Sequence, residues 1–407
     1  MIRIRFNFLI SFLALSSLFL ACTEKSEKSN DQPLSHEELA GFASEQFKVA
    51  IEALDNIHAT RFPDESNSVV VPRSLRDDTI FYVRSRDWTS GFFGGNLWYM
   101  YELSGDEYWR DQAIKYSNVV EKEKFNKGTH DLGFMIYCSF GNGLRLTENA
   151  SYKDIIIEAS NSLISRFNPT VGCIRSWDHN GDKWMFPVIV DNMMNLEMLF
   201  WAAKATGDST YYNIAVSHAD TTLKYHFRAD NSSYHVIDYD TISGEVLNKH
   251  THQGYAHESA WARGQAWGLY GYSMCFRETG KQEYLDQAEK IAAFMLDHAN
   301  LHEDLVPYWD YNAPEIPNAP RDVSAATIMA SALFELSTFG TEKSTYYKNT
   351  AQTILDNVSA KYRSAPGANM GFLLDHSTGH LPGKHEIDVP IVYADYYYLE
   401  ALLRSVK

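Results

Sequence analysis

Two aspartates carry the sequence's clearest chemistry. Asp131 lies in Thr129-His130-Asp131-Leu132-Gly133-Phe134, and Asp191 in Val190-Asp191-Asn192-Met193-Met194-Asn195. Each ends a polar connection and opens an apolar stretch. An aspartate at a helix start commonly caps that helix, a role worth about 1 kcal/mol. Two of them on facing loops, beside histidine and tryptophan, could instead divide acid and base work at a glycosidic bond. A third segment, Trp261-Ala262-Arg263-Gly264-Gln265-Ala266-Trp267, sets Arg263 and Trp267 four residues apart on one helix face. That pair is either a surface arginine resting on an indole or a guanidinium that grips a carboxylate beside an aromatic sugar platform. Trp261 would point about 200° away from Arg263 on a helix and reads as core. His235, taken alone, reads as a structural histidine.

Helical apolar spacing predicts twelve helices, over 36–59, 90–104, 106–122, 132–147, 151–166, 191–206, 209–225, 258–279, 283–299, 322–338, 344–360 and 391–405. Only Phe81-Tyr82-Val83 and Tyr234-His235-Val236-Ile237 read as strands. A weak repeat runs through the helices: a turn glycine, then a tyrosine, then a helical alanine. It appears as Gly105-Asp106 with Tyr108 and Ala113, as Gly207-Asp208 with Tyr211 and Ala215, and as Gly280 with Tyr284 and Ala288. Paired helices in this number predict six hairpins closed into an all-α (α/α)6 barrel, with an open solenoid as the alternative. Every long connection (61–89, 123–131, 167–190, 226–257, 300–321 and 361–390) precedes an even-numbered helix. All six therefore gather at one end of the ring, where the candidate site belongs. The N-termini of the inner helices at that end favour negative charge.

Composition narrows the partners. The 407 residues are 45% hydrophobic, 22% charged and 14% aromatic, with a net charge of −16. So acidic a chain disfavours nucleic acid, which needs basic surface, and an anionic ligand would need local cations. The four cysteines, Cys22, Cys138, Cys173 and Cys275, have no metal-ligand spacing. Arg3, Arg5, the apolar run Phe6 to Leu20 and Leu20-Ala21-Cys22 resemble a bacterial lipoprotein signal with its lipid-attachment cysteine. The expected organisation is a signal peptide over 1–21, a tether over 22–35 and one catalytic domain over 36–407. The address would be the periplasm or the outer-membrane surface, with membrane contact only through the lipid.

Together the blocks resemble a known family. Asp87-Trp88-Thr89-Ser90-Gly91-Phe92, His130-Asp131-Leu132-Gly133-Phe134, Asp191-Asn192-Met193-Met194-Asn195, His252-Gln253-Gly254-Tyr255 with Trp261-Ala262-Arg263-Gly264-Gln265, and Ala394-Asp395-Tyr396-Tyr397-Tyr398-Leu399-Glu400-Ala401-Leu402 are similar to the signature blocks of unsaturated glucuronyl hydrolases, glycoside hydrolase family 88. The resemblance runs from about residue 40 to the end. It implies an (α/α)6 barrel without metal or organic cofactor, acting on unsaturated uronic-acid oligosaccharides. Asp191 would be the general acid and base, and Asp131 the second essential carboxylate. Trp88, His235, Thr251, Gln253, Trp261, Arg263 and Trp267 would bind the sugar, and Lys384, in a loop that varies across the family, would contact an anion. Two other readings compete: an unsaturated rhamnogalacturonyl hydrolase, and a non-catalytic glycan-binding lipoprotein.

Overall fold

Glycine stops and aspartate starts give the repeat its physical meaning. Gly105, Gly207 and Gly280 take left-handed φ values of 68°, 77° and 68°. Their amides return to the last turn of the helices they end, a conformation open to a residue without Cβ. Asp106 and Asp208 then accept from the backbone N–H groups of Tyr108 and Thr210 at 2.9 and 2.8 Å, capping the next helix. Ala113, Ala215 and Ala288 are fully buried on the helices that follow.

The structure, a computed structural model, describes residues 34–61 and 69–407. The signal-like segment and Cys22 lie outside them. The helices are α1 (His36–Arg61), α2 (Ser90–Ser104), α3 (Glu107–Ser117), α4 (Asn142–Thr147), α5 (Ala150–Ile164), α6 (Leu196–Thr206), α7 (Ser209–Tyr225), α8 (Ala262–Thr279), α9 (Gln282–Asp297), α10 (Val323–Ser337), α11 (Ser344–Lys361) and α12 (Val392–Ser405). A π-helical segment, Gly133–Gly141, runs into α4, and a 3-10 turn, Val190–Asn195, runs into α6. The even-numbered elements form the inner ring. α2 packs against α12 and the π-helical segment, that segment against α6, α6 against α8, α8 against α10, and α10 against α12. The ring closes, so this is an (α/α)6 barrel rather than an open solenoid. α10 is buried from Val323 to Leu336, whereas the outer α9 buries a single face through Tyr284, Leu285, Ala288, Ile291, Ala292 and Met295.

Besides the π-helical and 3-10 segments that lead into α4 and α6, two helix boundaries differ from expectation. α3 ends at Ser117 and gives way to a 3-10 turn, Glu121–Phe125. α8 starts at Ala262, because Trp261 is extended (ψ 121°) and bridges Asp310 in the neighbouring loop. The loops also hold more strand than the sequence patterns predict. β1 (Val71–Arg76) pairs with β2 (Thr79–Val83), and β3 (Phe167–Asn168) with β4 (Cys173–Ile174). β6 (Val236–Tyr239) sits between β5 (Pro187–Ile189) and β7 (Val246–His250). β7 reads Val-Leu-Asn-Lys-His and lacks alternation, which hides it from a pattern search.

One close approach brings the two aspartate loops together. A Cβ on Gly133 would stand 2.7 Å from Asn195 Cα, and Asn195 Oδ1 accepts from Phe134 N–H at 3.1 Å. Asp131 and Asp191 lie just upstream of these two residues. We expect Gly133→Ala to lose about 1–3 kcal/mol of stability, the usual result of overpacking. Gly41→Ala, on the exposed side of α1 with nothing within 4 Å of the added carbon, should hold or gain stability. Thermal unfolding compares the two, and equal Tm values would contradict the packing argument.

Candidate active site

The long loops and the N-terminal ends of the inner helices enclose a cleft of about 290 Å³. Asp131 and Asp191 face into it. Asp191 opens the turn before α6, placed by β5, where Val190 N–H donates to His235 O at 3.1 Å. Its carboxyl is not used as a helix cap. The side chain is 11% exposed, and Oδ1 has no hydrogen-bond partner among the described residues. Burial pushes its pKa up to about 7. The Asp131 charge pushes in the same direction, while Arg263 and the Trp267 indole partly offset it. Asp191 can therefore hold a proton near neutral pH.

Asp131 sits in a wetter and better-bonded place. Its side chain is 18% exposed, Oδ2 accepts from Thr129 Oγ1 at 2.6 Å, and Oδ1 lies 3.2 Å from His130 Nε2. Two carboxyls with opposite environments are the usual arrangement for separate acid and charge-bearing roles.

His235 is locked in one tautomer. The backbone N–H groups of His252 and Gln253 both donate to Nδ1, each at 3.1 Å. The ring proton must then sit on Nε2, which faces Asp191 Oδ1 at 3.8 Å. Burial, with His252 and His380 nearby, holds the ring well below the usual imidazole range. His235 is thus a neutral donor directed at the acid.

The other sequence-predicted residues fall into three groups. Trp88 and Gln253 line the cleft with the aspartates. Trp88 stacks among Phe92, Phe134 and Tyr393, and Gln253 Nε2 donates to Gly379 O at 3.1 Å. His235, Trp261, Arg263 and Trp267 form the layer behind the lining. Trp261 packs on His235 with ring centroids 4.5 Å apart, and Trp267 on Phe134 at 5.2 Å. Arg263 does not offer a free fork to the cleft. Its Nη1 donates to Asp322 Oδ2 at 2.6 Å and to Thr378 O, and Nη2 donates to Gly379 O. The clamp reading is corrected accordingly: Arg263 pins the Thr378–Gly379 backbone and moderates the charge at Asp191. Thr251 and Lys384 stand outside the cleft. Thr251 Oγ1 accepts from Gly254 N–H at 2.8 Å and braces a turn. Lys384 is exposed at the tip of a hairpin with φ 56°.

Several lining residues were not singled out in the sequence: Arg73, Trp177, His179, His380, His385 and Glu386. Arg73 and Glu386 form a two-pronged ion pair with both N···O distances at 2.7 Å, and Arg73 also reaches Asp87 at 2.8 Å. Trp177 stacks on His179 with centroids 5.0 Å apart. A Pro-Gly turn flanked by histidines, His380-Leu381-Pro382-Gly383-Lys384-His385, was the legible signal for the hairpin.

No protein-family model matches the chain. Individual relatives match over most of its length. An unsaturated glucuronyl hydrolase of Formosa agariphila is 48% identical over 399 residues, spanning 98% of this chain and 97% of the relative. An unsaturated chondroitin disaccharide hydrolase of Streptococcus agalactiae is 31% identical, over 79% of this chain and 82% of its own. The crystal structure of an unsaturated glucuronyl hydrolase specific for heparin superposes with a TM-score of 0.83 at 46% identity, covering 90% of this chain and 97% of that one. With its closed helical ring and paired aspartates, the chain belongs to the unsaturated glucuronyl hydrolases, a group of glycosidases.

Proposed function

We propose that this glycosidase removes the 4,5-unsaturated uronic acid from glycosaminoglycan fragments left by a lyase, and does so by hydrating the C4=C5 bond. The observation that carries the mechanism is Asp191, a buried carboxyl with a pKa of about 7 and a free oxygen. The unsaturated sugar is an enol ether. Asp191 gives its proton to C4, and positive charge develops at C5, shared with the ring oxygen. The deprotonated Asp191 then accepts a proton from the water that adds at C5. The resulting hemiketal opens, and the bond to the next sugar breaks without direct attack at C1. The proton removed from water restores Asp191. The His235 Nε2–H faces the carboxylate formed in between, and the half-buried Asp131 in the cleft lining is suited to accept hydrogen bonds from sugar hydroxyls.

Relatives support the substrate class. The heparin-specific structure is 46% identical to this chain, against 31% for the chondroitin disaccharide hydrolase. Heparin-type disaccharides are therefore expected to rank above chondroitin-type ones in a panel differing only in linkage and sulfate position.

Three results are expected from the mechanism. Asp191→Asn should lose nearly all kcat while still binding substrate, since only proton transfer is removed. In heavy water, the released product should carry deuterium at C4. A saturated glucuronide with the same aglycone should remain intact. Cleavage of the saturated compound at a comparable rate, or product without deuterium at C4, would return the case to a conventional two-carboxylate glycosidase.

The address belongs to the same proposal. The basic start, the apolar core and Leu20-Ala21-Cys22 support lipidation of Cys22, and stable anchoring needs more than one acyl chain. Cys22→Ser should move the protein from the detergent phase to the aqueous phase in Triton X-114 partitioning. Wholly aqueous wild type would refute the anchor.

A further inference from the structure

The hairpin Gly379–Glu386 forms one wall of the cleft. Gly379 N–H donates to Glu386 O at 2.6 Å, and the backbones of His380 and His385 pair at 3.3 Å. At its base, Glu386 is gripped by Arg73 and by Ser74 Oγ at 2.7 Å. Across the cleft, Gly379 O accepts from Gln253 and Arg263. Two imidazoles lie between these anchors. His380 Nε2 is 3.0 Å from His252 O, His380 Nδ1 is 3.1 Å from His385 Nε2, and His385 Nδ1 is 3.6 Å from Glu386 Oε2.

This chain counts protons. The His252 carbonyl can only accept, so His380 Nε2 must carry a proton, whereas Glu386 is already satisfied by Arg73 and Ser74. The contact between the rings needs one proton, from either side. Two protons on the four ring nitrogens therefore fill both hydrogen bonds, and a third is accommodated on His385 Nδ1, 3.6 Å from Glu386 Oε2. A fourth sets N–H against N–H at 3.1 Å and places two cations side by side. The surroundings add to that cost. His252 faces the pair from the loop on the other wall, with His179 and Lys183 beside His252; Arg263 approaches from α8, and Lys384 lies in the hairpin tip. Against these stands Glu386, whose charge is already shared with Arg73. Burial, together with His385 and Arg263, shifts His380 below the ordinary imidazole value.

We propose that His380 and His385 are positioning residues that latch the substrate-binding wall of the cleft, closed while the pair carries at most one extra proton and released when a second arrives. The inference rests on the cleft being the unsaturated-uronide site.

The sign of the pH effect separates the latch from simple attraction. The uronate stays ionised between pH 5 and 7.5. If the histidines merely attracted it, acidification would add positive charge and lower KM. The latch requires the opposite. The released hairpin binds the extra proton more readily than the closed one, so closure weakens as pH falls below about 6.5. KM for an unsulfated, unsaturated heparin-type disaccharide should therefore rise on acidification, by up to tenfold per pH unit. His380→Gln and His385→Gln each leave too few ring nitrogens for the conflict, and in both the acid rise of KM should flatten. The measurement is KM and kcat of wild type and both variants from pH 5 to 7.5. A wild-type KM that is flat or falls with acid would overturn the latch, as would an acid rise that persists unchanged in both variants. Failure to turn over any unsaturated disaccharide at any pH would instead sink the reading of the site itself.

Discussion

Everything around the cleft serves to keep one carboxyl group away from water. Among the described residues, Asp191 is the only strongly raised carboxyl that faces the cleft, and its elevation comes first from burial. An aspartate in water gives up its proton near pH 4 and is useless as an acid at neutral pH. The ring of inner helices supplies the low-dielectric floor, and Trp267 with Phe134 seals it from beneath. Asp131 contributes by charge, and Gly133, without a Cβ, lets its segment approach Asn195 closely. A single missing Cβ thus helps to couple two carboxyls that lie far apart in sequence.

The layer behind the lining explains why so few residues need to touch substrate. His235 owes its tautomer to two backbone amides, and those amides belong to the loop that delivers Gln253. Arg263 is fully buried against Asp322, so its charge is compensated locally. What remains of its field reaches Asp191 and holds the elevation in check. A buried pair of this kind adds little net stability, but it ties α8, α10 and the Thr378–Gly379 backbone to one point.

Much of this was legible in the sequence, and the boundary of legibility has a physical cause. Helices were readable because apolar spacing, glycine stops such as Gly207 and aspartate starts such as Asp208 are local signals. The grouping of long loops at one end followed from their order alone, and with it the placement of Asp131, Asp191, Trp88 and Gln253. Side-chain direction was not local. Trp261 is extended rather than helical because it pairs with Asp310, so helical angles misjudge the residues around it. Arg73, Trp177 and Glu386 sit on irregular loops whose shape is set by distant partners, and no periodicity marks them. Lys384 entered as an anion contact through the family resemblance, yet the hairpin turns it outward and presents His385 instead.

Hydration of the C4=C5 bond depends on the protonation of Asp191 in the resting enzyme. Carbon-13 NMR of aspartate-labelled protein can follow that carboxyl directly, with Asp191→Asn to assign the signal. It should titrate near 7, and its midpoint should drop in Asp131→Asn, where the neighbouring charge is gone. A midpoint near 4 that is indifferent to Asp131 would mean that Asp191 carries no proton to give at neutral pH, and the hydration mechanism would lose its acid.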